Sequence, residues 1–121
     1  MKQLLLVFLG GGIGSALRYL IGKYLNNDSF PYGTFIVNIL GCLIIGFLLT
    51  FLSKNNNFNQ NHSLLLATGF CGGFTTFSTF AHENTLFLKQ GDPINFIVYT
   101  VLSFAIGIIG VYIGIWLGKA I

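Results

Sequence analysis

Charge is what this chain has least of. Only 7% of its 121 residues are charged, six basic and three acidic, where an ordinary soluble domain carries about 25%. With so few bases, and those scattered, there is no patch for nucleic acid. Acids are scarcer still, and none falls in the middle of an apolar stretch. That argues against a proton-coupled cation exporter, which needs an intramembrane carboxylate as its binding and relay group. The two cysteines, Cys42 and Cys71, lie inside apolar runs. They read as small buried thiols, with neither a metal-ligand spacing nor a disulfide framework. No nucleotide motif or catalytic constellation appears, so no enzyme is expected.

What the chain does have is apolar length. It is 54% hydrophobic, with a mean hydropathy of +0.78, and a bilayer core takes about 20 apolar residues of helix. Four segments qualify, at about 4–25, 32–52, 63–88 and 94–118. The opening MKQLLLVFLGGGIG could pass for a leader peptide. No small-residue cleavage site follows it and the apolar pattern runs on past Arg18, so it reads as the first span. Polar turns separate the spans at Asn26 to Pro31, Lys54 to Asn61 and Lys89 to Pro93. The expectation is an all-α integral membrane protein: a single four-helix domain over 1–121, both termini on one side.

Orientation normally follows the Lys/Arg bias of short loops. Here Lys2, Lys54 and Lys119 stand on the terminal side against Arg18, Lys23 and Lys89 on the other, a tie. Either a partner or one dominant charge fixes a single orientation, or the chain inserts both ways up and pairs as an inverted dimer. Small residues that let backbones approach favour helix association in lipid. Gly110, Gly114 and Gly118 repeat every four residues in span four, and span one carries Gly10, Gly14 and Gly22. Packing inside one subunit accounts for such glycines as readily as packing between subunits.

Buried polar side chains in lipid each ask for a reason. Asn38 stands in FIVNILG, with Thr34 and Cys42 one turn to either side. It either hydrogen-bonds a neighbouring helix or presents an amide donor to a pathway. Tyr99, Ser103 and Gly107 share a face of span four; Tyr99 and Ser103 offer O–H donors, although Tyr99 also suits an interfacial anchor. Arg18, near the end of span one, either snorkels to the interface or draws an anion into a vestibule. Glu83 lies late in span three, on the face of Thr76 and Thr79.

The oddest stretch is GFCGGFTTFSTF, Gly69 to Phe80. Gly72 and Gly73 each lower helix propensity by about 1 kcal/mol, and Thr75 and Thr76 can bond backbone locally. A break in span three is therefore expected at Gly72 to Thr75, freeing carbonyls suited to a small hard cation. Phe77 and Phe80 follow one turn apart. Their positive ring edges could favour an anion without a full charge, or the rings could simply pack on other helices.

Taken together, GGGIGSALRY, GTFIVNILG and GFCGGFTTFSTF strongly resemble the small fluoride channels called Fluc or CrcB, over the whole chain and in motif order. The resemblance implies passive export of fluoride, which enters a cell as its neutral acid and ionises inside. It implies an inverted homodimer in the plasma (inner) membrane, with the third helix broken near its centre and two parallel anion pathways. A structural sodium ion on the dimer axis would be held by the backbone carbonyls of Gly72 and Thr75. The resemblance assigns Phe77 and Phe80 to the aromatic gateway, Asn38 to the pore, Tyr99 and Ser103 to the polar track, and Arg18 and Glu83 to the matching charges; Thr79 joins the anion pathway. Where some members continue the track with a hydroxyl, this chain has Gly107. The competing readings are a small multidrug exporter, also four-helical and often inverted, and a non-transporting membrane assembly subunit.

Overall fold

The protein is described by a computed structural model covering residues 1–121. Helix α1 is Lys2–Leu25 and α2 is Tyr32–Lys54. Helix α3 occupies residues 60–74, as a first turn Gln60–Ser63, a π-helical stretch Leu64–Cys71 and a last turn Gly72–Phe74. After two extended residues, Thr75 and Thr76, α4 runs Phe77–Lys89 and α5 runs Pro93–Ala120. Four helical runs are long and apolar enough to cross a membrane: Lys2–Leu25, Tyr32–Lys54, Gln60–Lys89 and Pro93–Ala120. Each contains the span expected from hydropathy and reaches one to three residues further at one end or both.

The third span does break, but not at its glycines. Gly72 has φ −62° and ψ −37°, an ordinary helical conformation. The chain leaves the helix at Thr75 (φ −84°, ψ 158°) and Thr76 (φ −151°, ψ 126°). The expected break at Gly72 to Thr75 is therefore displaced to Thr75 and Thr76. Gly73 serves close approach instead: a Cβ there would run into the Gly11 backbone of α1.

Helices pack as two parallel pairs, α1 with α3 and α2 with α5. Gly10 and Gly14 of α1 are buried against the backbone around Leu65 and Phe70. Gly110 and Gly114 of α5 lie against α2 at Ile39 to Phe47, and Gly118 meets Phe47 and Thr50. The four-residue glycine repeat thus packs within the chain. Parallel α2 and α5 finish together, where Lys54 Nζ donates to the Lys119 carbonyl at 2.6 Å.

Only 20 of the 121 residues are buried, and Leu4, Phe8, Ile13, Leu49, Val101, Ile108 and Trp116 all point outward. Hydrocarbon, not water, suits such a surface. One aromatic cluster is covered by the chain itself: Phe80, Phe87 and Tyr99, with Phe30, Phe35 and Phe96 packed against it. It anchors α4 to the start of α5, which Asp92 caps by accepting from the Asn95 N–H.

Candidate functional site

The break is held open by a side chain from another helix. Thr76 N–H, which in an unbroken helix would bond the Gly72 carbonyl, donates to Asn38 Oδ1 at 2.8 Å. Asn38 Nδ2 returns a bond to the Thr76 carbonyl at 3.1 Å. The amide thus satisfies both backbone groups of one non-helical residue at membrane depth, where an unpaired group would be costly. Thr75 closes α3, its N–H and hydroxyl both donating to the Cys71 carbonyl. Thr76 opens α4, its hydroxyl oxygen accepting from the Thr79 N–H. The Thr75 carbonyl itself accepts no backbone hydrogen bond.

Two cavities meet at this point. The larger, about 570 Å³, is bounded by α2, α3, α4 and α5. Its lining includes Asn38, Cys42, Cys71, Gly72, Thr75, Thr76, Phe77, Phe80, Ser103, Phe104 and Gly107. The smaller, about 410 Å³, lies between α1, the start of α2 and the start of α4, and is lined by Ser15, Arg18, Tyr19, Gly22, Lys23, Asn26, Thr34, Thr76 and Thr79. Thr76 borders both. A basic, hydroxyl-lined hollow therefore adjoins an apolar one in which polar groups are few and separated.

Two shielded polar atoms here have no partner within the chain. Ser103 Oγ is shielded and unbonded, as is Arg18 Nε. The two rings differ sharply. Phe77 is 72% exposed, a large ring that the chain itself leaves uncovered. Phe80 is buried, with its centroid 4.9 Å from that of Tyr99, 5.8 Å from Phe77 and 6.1 Å from Phe104. Both rings line the larger cavity, so for Phe80 packing and cavity lining coexist.

Tyr99 is not on the cavity wall. It is fully buried behind Phe80, and its hydroxyl donates to Glu83 Oε2 at 2.6 Å. The other carboxylate oxygen accepts from Thr34 Oγ1, also at 2.6 Å. Thr34 is fixed in turn by Asn26, which bonds its N–H and its hydroxyl at 3.1 and 3.2 Å. Glu83 thus joins α2, α4 and α5 through two short hydrogen bonds. The expected face shared by Glu83, Thr76 and Thr79 resolves differently: Thr76 and Thr79 bond each other at 3.2 Å.

Of the residues singled out from sequence, the structure brings Asn38, Gly72, Thr75, Phe77, Phe80 and Ser103 to the larger cavity, and Arg18 and Thr79 to the smaller. Sequence reading missed Thr34 as the partner of Glu83, Asn26 as the support of Thr34, and Lys23 beside Arg18. The one available signal was the buried polar character of Thr34 on an apolar helix.

Four membrane helices, one broken at mid-span beside a largely apolar cavity with a few polar groups, define a small polytopic membrane protein. A model of the family described as CrcB-like protein, Camphor Resistance (CrcB), matches residues 5–115, and the chain belongs to that family. Among relatives, it is 48% identical over 122 residues to a protein of Phocaeicola vulgatus named fluoride-specific ion channel FluC, covering 98% of this chain and 100% of the relative. A protein of the same name from Gloeothece citriformis is 50% identical over 123 residues, covering 98% of each chain. One from Oceanobacillus iheyensis is 44% identical over 116 residues, covering 95% and 90%.

Proposed function

We propose that this protein is a fluoride-selective channel that passively exports fluoride across the plasma (inner) membrane, working as an antiparallel homodimer. The observation that carries the reading is the cavity where Asn38, Phe77, Phe80 and Ser103 converge beside the helix break, in a chain whose relatives are named fluoride-specific channels.

On this reading an anion is drawn to the hollow of Arg18, whose Nε has no partner in the chain. Thr79 and Thr76 offer hydroxyls there, and Thr76 borders the next compartment. Beyond it, the remaining N–H of Asn38, the Ser103 hydroxyl and the edges of Phe77 and Phe80 replace water in small steps. Ring edges carry only partial positive charge. They hold an anion weakly enough that it can also leave, as conduction requires. Tyr99, Glu83 and Thr34 keep the aromatic wall in place from behind, so Tyr99 acts through Phe80.

A second copy supplies what one chain lacks. Phe77 is uncovered, and Gly72 has open space around its Cβ position. The balanced loop charges suit opposite insertion of the two copies. The break fits a resident sodium ion: the Thr75 carbonyl is unbonded and the Gly72 carbonyl has lost its helical donor to Asn38. Two carbonyls are too few for a hard cation, which takes a shell of oxygens, so a symmetry-related pair would complete it. When bound, the ion supplies fixed positive charge that ties the two breaks together.

Growth tests the proposal. In a bacterial strain stripped of fluoride export, expression of this chain should restore growth in millimolar fluoride and give no resistance to cationic drugs. Drug resistance without fluoride resistance would favour the multidrug exporter, and neither would favour an assembly subunit.

A further inference from the structure

We infer that Asn84 and Thr100 form a rotational lock that aims the aromatic face of α4, making both of them positioning residues for the anion path; the inference rests on the fluoride reading above. Asn84 is buried although it belongs to the polar tail of the third span. Its Oδ1 accepts from Thr100 Oγ1 at 3.2 Å, and its Nδ2 donates to the Phe80 carbonyl at 3.2 Å. The bond therefore reaches from α5 through Asn84 to the backbone of the gateway ring.

Its placement beside a second bond gives it meaning. Glu83 and Tyr99 are joined at 2.6 Å, and Asn84 and Thr100 are the next residue along each helix. Consecutive residues on a helix are about 100° apart. Glu83 bonds both Tyr99 and Thr34 and so ties α4 through one residue; a bond from the next residue, at that angular offset, adds resistance to rotation of α4 about its own axis. The need is real, because α4 is short, cut off from α3 by the break, and packed chiefly on α5. With a ring roughly 6 Å from the axis, a rotation of about 20° would shift it by about 2 Å. That is enough to spoil a path lined by Phe77 and Phe80.

The test uses the full chain in liposomes and compares wild type, Thr100→Val and Thr100→Ser, with fluoride flux measured on the unlabelled proteins and 4-fluorophenylalanine placed at position 77 only for the 19F spectra. Thr100→Val keeps side-chain volume and removes the hydroxyl; Thr100→Ser restores it. The 19F resonance at position 77 reports ring surroundings whether or not the protein conducts. The lock predicts a shifted or split resonance in Thr100→Val with fluoride flux down roughly threefold, the factor for one interhelical hydrogen bond in a membrane, and both restored in Thr100→Ser. Identical resonances in all three proteins would overturn it, as would a shifted resonance with unchanged flux. If wild type carries no fluoride, the fluoride reading fails, and the resonance alone decides the lock: changed in Thr100→Val and restored in Thr100→Ser supports it, unchanged overturns it.

Discussion

The side-chain amide of Asn38 pairs with both the N–H and the carbonyl of Thr76, at 2.8 and 3.1 Å. One helix thereby holds another open. Replacing Asn38 with Leu would leave two backbone groups unpaired in lipid, and each unsatisfied buried group costs about 1–3 kcal/mol. Asn38→Leu should unfold at lower denaturant and conduct poorly. Denaturant titration in detergent checks this; a leucine variant as stable as wild type would show that the break does not depend on the amide.

The glycines divide into two groups with opposite expectations. A Cβ at Gly114 would overlap the Leu43 carbonyl and come within 2.7 Å of the Phe47 nitrogen, whereas one at Gly72 meets nothing within 4 Å. Gly114→Ala should separate α2 from α5 and reduce the yield of folded protein. Gly72→Ala should leave the subunit folded, even gaining up to about 1 kcal/mol of helix propensity, while weakening association of two copies. Size-exclusion chromatography and cross-linking distinguish the two; normal association of Gly72→Ala would remove Gly72 from the proposed dimer contact.

Much of this architecture was legible in advance, and the rest was hidden for identifiable reasons. Hydropathy gave the four spans because lipid demands apolar length, and one residue of polarity shows against it. Glycine propensity and local bonding by the threonines place the break at Gly72 to Thr75. It falls at Thr75 and Thr76 because Asn38, far away in sequence, pairs with Thr76, while Gly73 is needed for contact with Gly11. The repeat Gly110, Gly114, Gly118 was visible, but not that α2 fills it. Tyr99 and Ser103 share a helical face, yet only Ser103 borders the cavity, since Glu83 and Phe80 cover Tyr99. Asn84 gave no signal, lying in a stretch already polar.

The bond from Tyr99 to Glu83 sets a third expectation. Tyr99→Phe removes a donor from a half-buried carboxylate that keeps only Thr34. Loss of about 1–2 kcal/mol is expected, with lower flux as Phe80 loses its backing. Thermal unfolding and flux measured on the same preparation check it. Full stability and full flux together would mean that this contact is dispensable.

Sodium is tested by removing it. Exchange of sodium for N-methylglucamine during purification should shift the protein toward monomer and reduce transport, and restoring sodium should reverse both. A dimer of full activity after rigorous exchange would eliminate the proposed ion between the Thr75 and Gly72 carbonyls.

Efflux from liposomes, followed with a fluoride electrode and in parallel with a chloride electrode, tests the central claim most directly. The account predicts fast fluoride release from vesicles holding wild type and no chloride release. It also predicts strongly reduced fluoride release for Phe77→Ile and Phe80→Ile in proteins that remain assembled. No fluoride release by wild type, or equal release of both halides, would contradict it.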